Sequence, residues 1–384
     1  MDLESYIADR NADYFLREFT YTASRFRSAD GQERELCDGA IWIGELLILM
    51  QLKERDLAHD SGDAEEESRW FSKKVSKRAV DQLNSSIRHL NTELQLPLAN
   101  MRSQLVDVAN AKPRVIHHVV IYRSSKALPN SDLYLKGRAS ERIGFVHFLH
   151  AYDWVNVCAT LHTPAEISDY LSYRAAAAGE NLVANQLPEK ALLGNYLSDT
   201  GIETLQHADE LFVDTLVDNR SQFDISGLLR VYLDRIVSGN DGLQYHLILT
   251  ELAKLTRAGL KEFRTRLFWA MEKCQSSDRP IPSRFHFPGT DCSFVFVPLS
   301  ESERSLAVKA AVNYTMLSKY DFRSTRALGL SVTPDPSPGA FQIQWCLLDG
   351  EWSYDATTEK FLAGGEIFRE TKPTMLGKYN FDGA

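Results

Sequence analysis

No stretch of this 384-residue chain approaches the ~20 consecutive apolar residues that a membrane-crossing helix needs. The acidic N-terminus also has no signal-peptide core, so secretion is not expected. Cysteine is scarce: Cys37, Cys158, Cys274, Cys292 and Cys346 are scattered, odd in number, and none forms a Cys-x-x-Cys pair. That argues against a disulfide framework and against a zinc site, and makes a reducing cytoplasm the expected compartment. An excess of positive charge is missing too. The 43 Lys and Arg face 52 Asp and Glu, a net charge of −9. Residues 1–125 hold 17 against 20, and the remainder 26 against 32, so neither part is drawn to a polyanion by its overall charge. Any contact with nucleic acid must come from a local basic patch. There is no internal repeat, no low-complexity tract, and no Gly-x-x-x-x-Gly-Lys-Ser/Thr loop, which excludes a built-in ATP motor of that kind. What is present, 44% hydrophobic and 25% charged residues, is the composition of a globular protein long enough for about two or three domains.

Residues 35–55 are the stretch around which the chain is organised. Two apolar runs, 40–43 and 46–50, flank Gly44-Glu45, and Gly at the first loop position suits a tight two-residue hairpin turn. Under that register Asp38 lies opposite Gln51, and opposed residues share a face of the sheet. Lys53 follows Gln51 by two and falls on the same face. A carboxylate, an amide and an ammonium thus converge where the apolar run ends. A carboxylate with a second oxygen ligand suits a hard cation such as Mg²⁺, and a nearby lysine can stabilise negative charge on a phosphoryl group. The plain alternative is a polar hairpin rim with no chemistry.

Asp38 followed by the strand-borne Gln51-Leu52-Lys53 resembles the PD-(D/E)xK nuclease superfamily, in the Gln-x-Lys variant of the Mrr-like restriction enzymes. Gln stands here where the main pattern has an acid. The resemblance covers roughly residues 5–125. It implies a restriction-endonuclease-like mixed sheet core, Mg²⁺ or Mn²⁺ as cofactor, and hydrolysis of nucleic acid, DNA foremost. It also implies Asp38 and Gln51 as metal ligands, Lys53 as catalytic helper, and an acid on the first helix. Residues 3–19 have helical spacing with Tyr6, Ile7, Tyr14, Phe15 and Phe19 on one face. Glu18 is the position carried over as catalytic acid and third metal ligand, with Asp13 and Glu35 as rivals. Prokaryotic proteins that carry such a core often serve in defence against foreign DNA, an analogy only.

After the hairpin, 56–67 reads as an acidic loop and 70–90 as a helix whose first half carries Arg69, Lys73, Lys74, Lys77 and Arg78. This stripe is the candidate phosphate contact, with a solvated lysine face as its equal alternative. A second helix is expected over 98–110, and a β-branched strand over 114–122 completes a helix, hairpin, helix, strand order. His117 and His118 read as packing residues. Another strand is expected over 143–149. Thr163-Pro164-Ala165-Glu166 starts a helix with a capping box, and the chain to 275 reads as mainly helical. Residues 276–282 read as a linker, followed by strands over 293–297, 327–332 and 341–348 and a helix over 303–319. The expected class is therefore α/β, in three domains: a nuclease-like core (1–125), a helical middle (126–275) and a small α+β module (283–384). The expected partners are nucleic acid and no membrane. Regulation is left to a homo-oligomer or to a separate partner such as an ATPase or sensor. The rival reading is a non-catalytic nucleic-acid-binding or scaffold protein with a degenerate nuclease-like core.

Overall fold

The computed structural model describes residues 1–384 except 23–24, 29–30, 57–61, 110–112, 209, 234–244, 277–279, 338, 366, 371, 373–378 and 380–384. Parts of the expected acidic loop, of the helical stretch around 236 and of the 276–282 linker therefore lie outside the described residues. The chain divides into two compact units, Met1–Val217 and Asp218–Asn380, and not into three domains. The described helices of the expected middle region divide between these two units. The helices over 151–180 pack onto the N-terminal sheet and 189–198 pack on those helices, whereas the described residues of 220–273 belong to the second unit. Among the described residues no helix is long and apolar enough to cross a membrane.

In the first unit, α1 (Leu3–Phe15) is capped by Asp2, which accepts the Ser5 N–H at 2.7 Å. It ends because Leu16 takes a positive φ of 67°. Strands β1 (Thr20–Thr22), β2 (Arg25–Arg27), β3 (Glu33–Glu35), β4 (Gly39–Ile43) and β5 (Leu46–Glu54) follow. One long helix then runs through α2 (Ala64–Trp70), a π-helical segment (Phe71–Ala79) and α3 (Val80–Thr92). It begins earlier than expected, because Asp63 caps it by accepting the Glu65 N–H and the acidic residues 65–67 suit the positive end of the helix dipole. The helix expected over 98–110 is instead a short antiparallel pair, β6 (Pro97–Ala99) and β7 (Leu105–Asp107). The Asn100 side chain accepts the N–H groups of Arg102 and Gln104, a local turn that outcompetes the helix. Next come β8 (Val115–Arg123), α4 (Asn130–Leu133), β9 (Gly137–Ser140), β10 (Gly144–His150), α5 (Ala151–Leu161), α6 (Pro164–Glu180) and α7 (Glu189–Ser198). Thr163 caps α6 with Pro164 at its first position, as the sequence foretold.

Six strands form a mixed sheet in the order β1-β4-β5-β8-β10-β9. The central β5, β8 and β10 are parallel, and the flanking strands antiparallel. β5 and β8 are apolar on both faces because both are covered. On one face Leu47, Leu49, Val120, Tyr122, Val146 and Phe148 meet Phe71, Val75, Ala79 and Leu83 of the long helix. On the other, α1 and α5 pack: Phe15 stacks on Trp154, and Asn11 bridges the Trp154 Nε1–H and the Met50 sulfur. The fold is thus a mixed α/β sandwich.

Beside β10 lies a buried ionic cluster. Glu189 accepts hydrogen bonds from Arg174 Nε (2.7 Å) and the Tyr170 hydroxyl (2.6 Å), and Lys136 Nζ lies 3.3 Å from its second oxygen. Arg174 also donates to the carbonyls of Phe148 (2.7 Å) and Lys136, tying α6 to the sheet. Burial alone would raise the Glu189 carboxyl, but Arg174 and Lys136 outweigh it and hold the group at about 2.

The second unit contains α8 (Arg220–Phe223), α9 (Ser226–Leu233), α10 (Tyr245–Ala253), α11 (Arg257–Lys273), β11 (Ser283–Phe287), β12 (Cys292–Pro298), α12 (Ala307–Phe322), β13 (Arg326–Pro334), β14 (Phe341–Asp349) and α13 (Ala356–Ala363). Its sheet runs β11-β12-β13-β14, with β12 and β13 parallel and fully buried along most of their length. Phe263 of α11 packs on Phe294, Phe296 and Trp345. β11 has no counterpart among the expected strands.

Candidate active site

The hairpin fixes the site. Gly44 supplies the positive φ (55°) that the first position of a two-residue turn requires, and the Trp42 Nε1–H donates to the Gly44 carbonyl at 3.0 Å. The register is Gly39 with Met50, Ala40 with Leu49 and Ile43 with Leu46. Asp38, one residue before β4, accordingly lies opposite Gln51. β4 has ended there, and the Leu52 N–H finds its acceptor in Asp38 Oδ2 at 2.6 Å. Asp38 therefore closes the end of the ladder as well as presenting a charge.

Lys53 comes to the same point. Its Nζ donates to Asp38 Oδ2 (3.2 Å), Gln51 Oε1 (3.0 Å) and the Leu52 carbonyl (2.9 Å). Three oxygens thus surround one ammonium at the carboxyl end of β5, about 12–15% of the Asp38 and Lys53 side chains being exposed. A carboxylate, an amide oxygen and a carbonyl are hard donors of the kind Mg²⁺ takes while keeping several waters. In kind, the residues present fit such an ion. In number, Asp38 is the one carboxylate among these three donors, and among the described residues no group of three or more His, Cys, Asp or Glu is arranged to hold a metal.

Glu18 is not brought to this site. Its place on the first helix needs correction, since α1 stops at Phe15 and Glu18 follows in a turn. It lies toward the opposite end of the hairpin, where Phe19 meets Trp42, and it is buried against Arg102 at 2.9 Å. The acid that α1 does bring within electrostatic reach is Glu4. Its carboxyl is raised by partial burial and by the charges of Asp38 and Glu35, with Lys53 opposing. Glu35, a rival in the sequence, is thus near Asp38. Asp13 instead pairs with Arg10 at 3.3 Å on the exposed side of α1. Glu4 carries no local signal, because its role depends on where the helix N-terminus meets the strand end: the Leu3 N–H donates to Glu54 at 3.2 Å.

Arg69, Lys73, Lys74, Lys77 and Arg78 are all exposed, and none has an ion-pair partner among the described residues. They occupy the solvent side of the long helix, whereas Phe71, Val75 and Ala79 face the sheet. The stripe and the Asp38 triplet therefore lie on opposite sides of that helix. The helix is fastened to the site strand by Arg55, which reaches Glu66 and Glu67 at 2.6 Å each. His117 donates to or accepts from Ser168 Oγ at 2.9 Å, and burial pushes it down to about 4, as befits a packing residue.

A cleft of about 770 Å³ opens beyond the carboxyl ends of β8 and β10, lined by segments around 124–134, 150–160, 188–193 and 210–214. No signal links these segments along the chain. Compared with known proteins, the chain matches no family model, no curated protein and no solved structure.

Proposed function

We propose that the chain is a metal-dependent nuclease with a restriction-endonuclease-like core, hydrolysing phosphodiester bonds of nucleic acid, DNA foremost. The observation that supports this reading is the convergence of Asp38 Oδ2, Gln51 Oε1 and the Leu52 carbonyl on the Lys53 ammonium, one cation already gathered by three oxygens. Asp38, Gln51 and the Leu52 carbonyl are the residues that would hold Mg²⁺ or Mn²⁺, and such an ion would supply water activation and charge stabilisation at the phosphate. Because Asp38 also holds the Leu52 N–H, the ligand oxygens keep their places. Lys53, on a flexible stem, turns from those oxygens to the phosphate and stabilises the charge that develops there. The exposed lysines of the long helix supply a second, nonspecific phosphate contact.

One observation favours a second reading. The Lys53 ammonium already satisfies the three oxygens, so a cation of the chain's own can stand where the metal would. In that case the core is a non-catalytic nucleic-acid-binding or scaffold module. Cleavage of a panel of single- and double-stranded DNA and RNA with Mg²⁺ or Mn²⁺ separates the two. The nuclease reading expects Asp38→Ala to abolish cleavage and Lys53→Ala to lower it by about 10²–10³. An inert wild type that also shows no divalent-metal heat in calorimetry would falsify it.

A further inference from the structure

The cleft beyond β8 and β10 is the strongest site outside the Asp38 triplet. Ligands of open α/β sheets bind in the crevice outside the carboxyl ends of the strands, and 770 Å³ is ample for a small-molecule pocket. Of its charged groups, Glu189 is held by Arg174 and Lys136, Lys190 and Asp214 pair with each other, and Glu210, Asp153 and Lys126 remain. Asp153, in the first turn of α5, points a carboxylate into the cleft that accepts no hydrogen bond among the described residues. Tyr134 and Tyr152 line it with aromatic rings. Lys126, exposed at the rim, has no ion-pair partner among the described residues, and Ser124 stands beside it.

An unpaired ionised carboxylate only accepts, so it calls for a partner with two adjacent N–H donors. Among the bases, guanine offers that edge through its N1–H and its exocyclic amine. Adenine and cytosine bring one amine each. The tyrosines give a base its stacking faces, and the lysine suits a phosphate. A simple cationic amine would satisfy Asp153 but not Lys126. We propose that this cleft binds a guanine nucleotide unit, with Asp153 on the base edge, Tyr134 and Tyr152 against the ring, and Lys126 on the phosphate.

The unit has two sources, a free nucleotide or a nucleotide of the strand being cut. Lys53, Tyr122 and His150 are in register across three neighbouring strands. His150, which lines the cleft, is thus two strand spacings, about 10 Å, from Lys53. A strand engaged at Asp38 and Lys53 can therefore place a flanking base in the cleft. That second source rests on the nuclease reading, and the binding itself does not.

The test titrates the full chain with GMP and AMP by calorimetry, then repeats it with Asp153→Asn and Lys126→Ala. The proposal expects GMP to bind about ten-fold or more tighter than AMP and Asp153→Asn to remove that preference. Lys126→Ala should weaken both nucleotides alike. Equal binding of the two nucleotides, no binding, or a preference that survives Asp153→Asn overturns it. Asp153 holds no hydrogen bond that folding needs, and Lys126→Ala gives an independent reading should the first variant misfold. Mapping cleavage on oligonucleotides with guanine moved one position at a time identifies the source. A guanine preference lost in Asp153→Asn assigns the strand, and GMP binding without it assigns the free nucleotide. GMP binding by a chain that cleaves nothing sinks the nuclease reading and leaves the pocket standing. Cleavage without GMP binding or guanine preference does the reverse.

Discussion

Glu189→Ala isolates the buried ionic cluster. In the folded protein Glu189 faces Arg174 and Lys136, each about 1% exposed, and receives the Tyr170 hydroxyl. Truncation leaves a guanidinium and an ammonium in the interior without their counter-charge. Breaking a buried pair from one side costs about 3–5 kcal/mol. The fall of the Glu189 carboxyl from the usual 4.5 to about 2 corresponds to roughly 3 kcal/mol of differential stability, a similar size. Because the folded value is the lower one, this contribution is complete above about pH 4.5 and is lost as pH falls from there towards 2. Part of the penalty in the variant can be relieved at Lys136, whose pKa burial already lowers, by release of its proton. Glu189→Gln keeps the shape and one acceptor and should cost less than Ala. The assay is urea unfolding at pH 7, with amide exchange of β10 to assign the loss to the first unit. A loss below about 1 kcal/mol for Glu189→Ala, or an unchanged acid midpoint, would refute the view that this cluster ties α6 and α7 to the sheet.

Other outcomes follow from single contacts. Gln51→Glu adds a carboxylate beside Asp38 and should tighten Mn²⁺ binding in calorimetry; weaker binding would move the cation site elsewhere. Asp38→Ala also orphans the Leu52 N–H and should lower stability by about 1–3 kcal/mol, so its activity must be compared with that of Asp38→Asn at matched folded fraction. Reversing Lys73, Lys74 and Lys77 to Glu should weaken nucleic-acid binding and flatten its salt dependence with little change in sequence preference. Identical binding isotherms would return those lysines to a solvated role. Gly44→Ala places a Cβ at φ 55° and should cost about 1–2 kcal/mol, read as a lower urea midpoint.

The hairpin was legible because two independent constraints agree, the alternation of apolar residues and a glycine at a turn that fixes the pairing. From that register the meeting of Asp38, Gln51 and Lys53 follows without knowledge of the rest of the fold. Glu18 was not legible. Helical spacing continues past Phe15 to Phe19, and the stop is made by Leu16 turning to positive φ, which no glycine or proline announces. The cap at Asp63 was visible as a residue type, but the acids after it read equally well as a solvated run. The partition of the helical stretch between two units depends on which sheet each helix covers. The cleft and the Lys136–Arg174–Glu189 cluster join residues dozens apart in the chain, so nothing local encodes them.

The strand order of the first sheet bears on how copies of this chain meet. Its two longest strands, β5 and β8, are nine residues long and carry the apolar runs 46–50 and 119–122, the kind that template cross-chain pairing when exposed. Both sit inside the sheet, and the outer positions go to β1 and β9, three and four residues long. Beside β1 an incoming strand would find the backbone already engaged by Asn100 and Met101, and beside β9 it would meet a four-residue edge and the charge of Arg138. The sheet thus hides its stickiest segments behind two edges too short to seed a fibre.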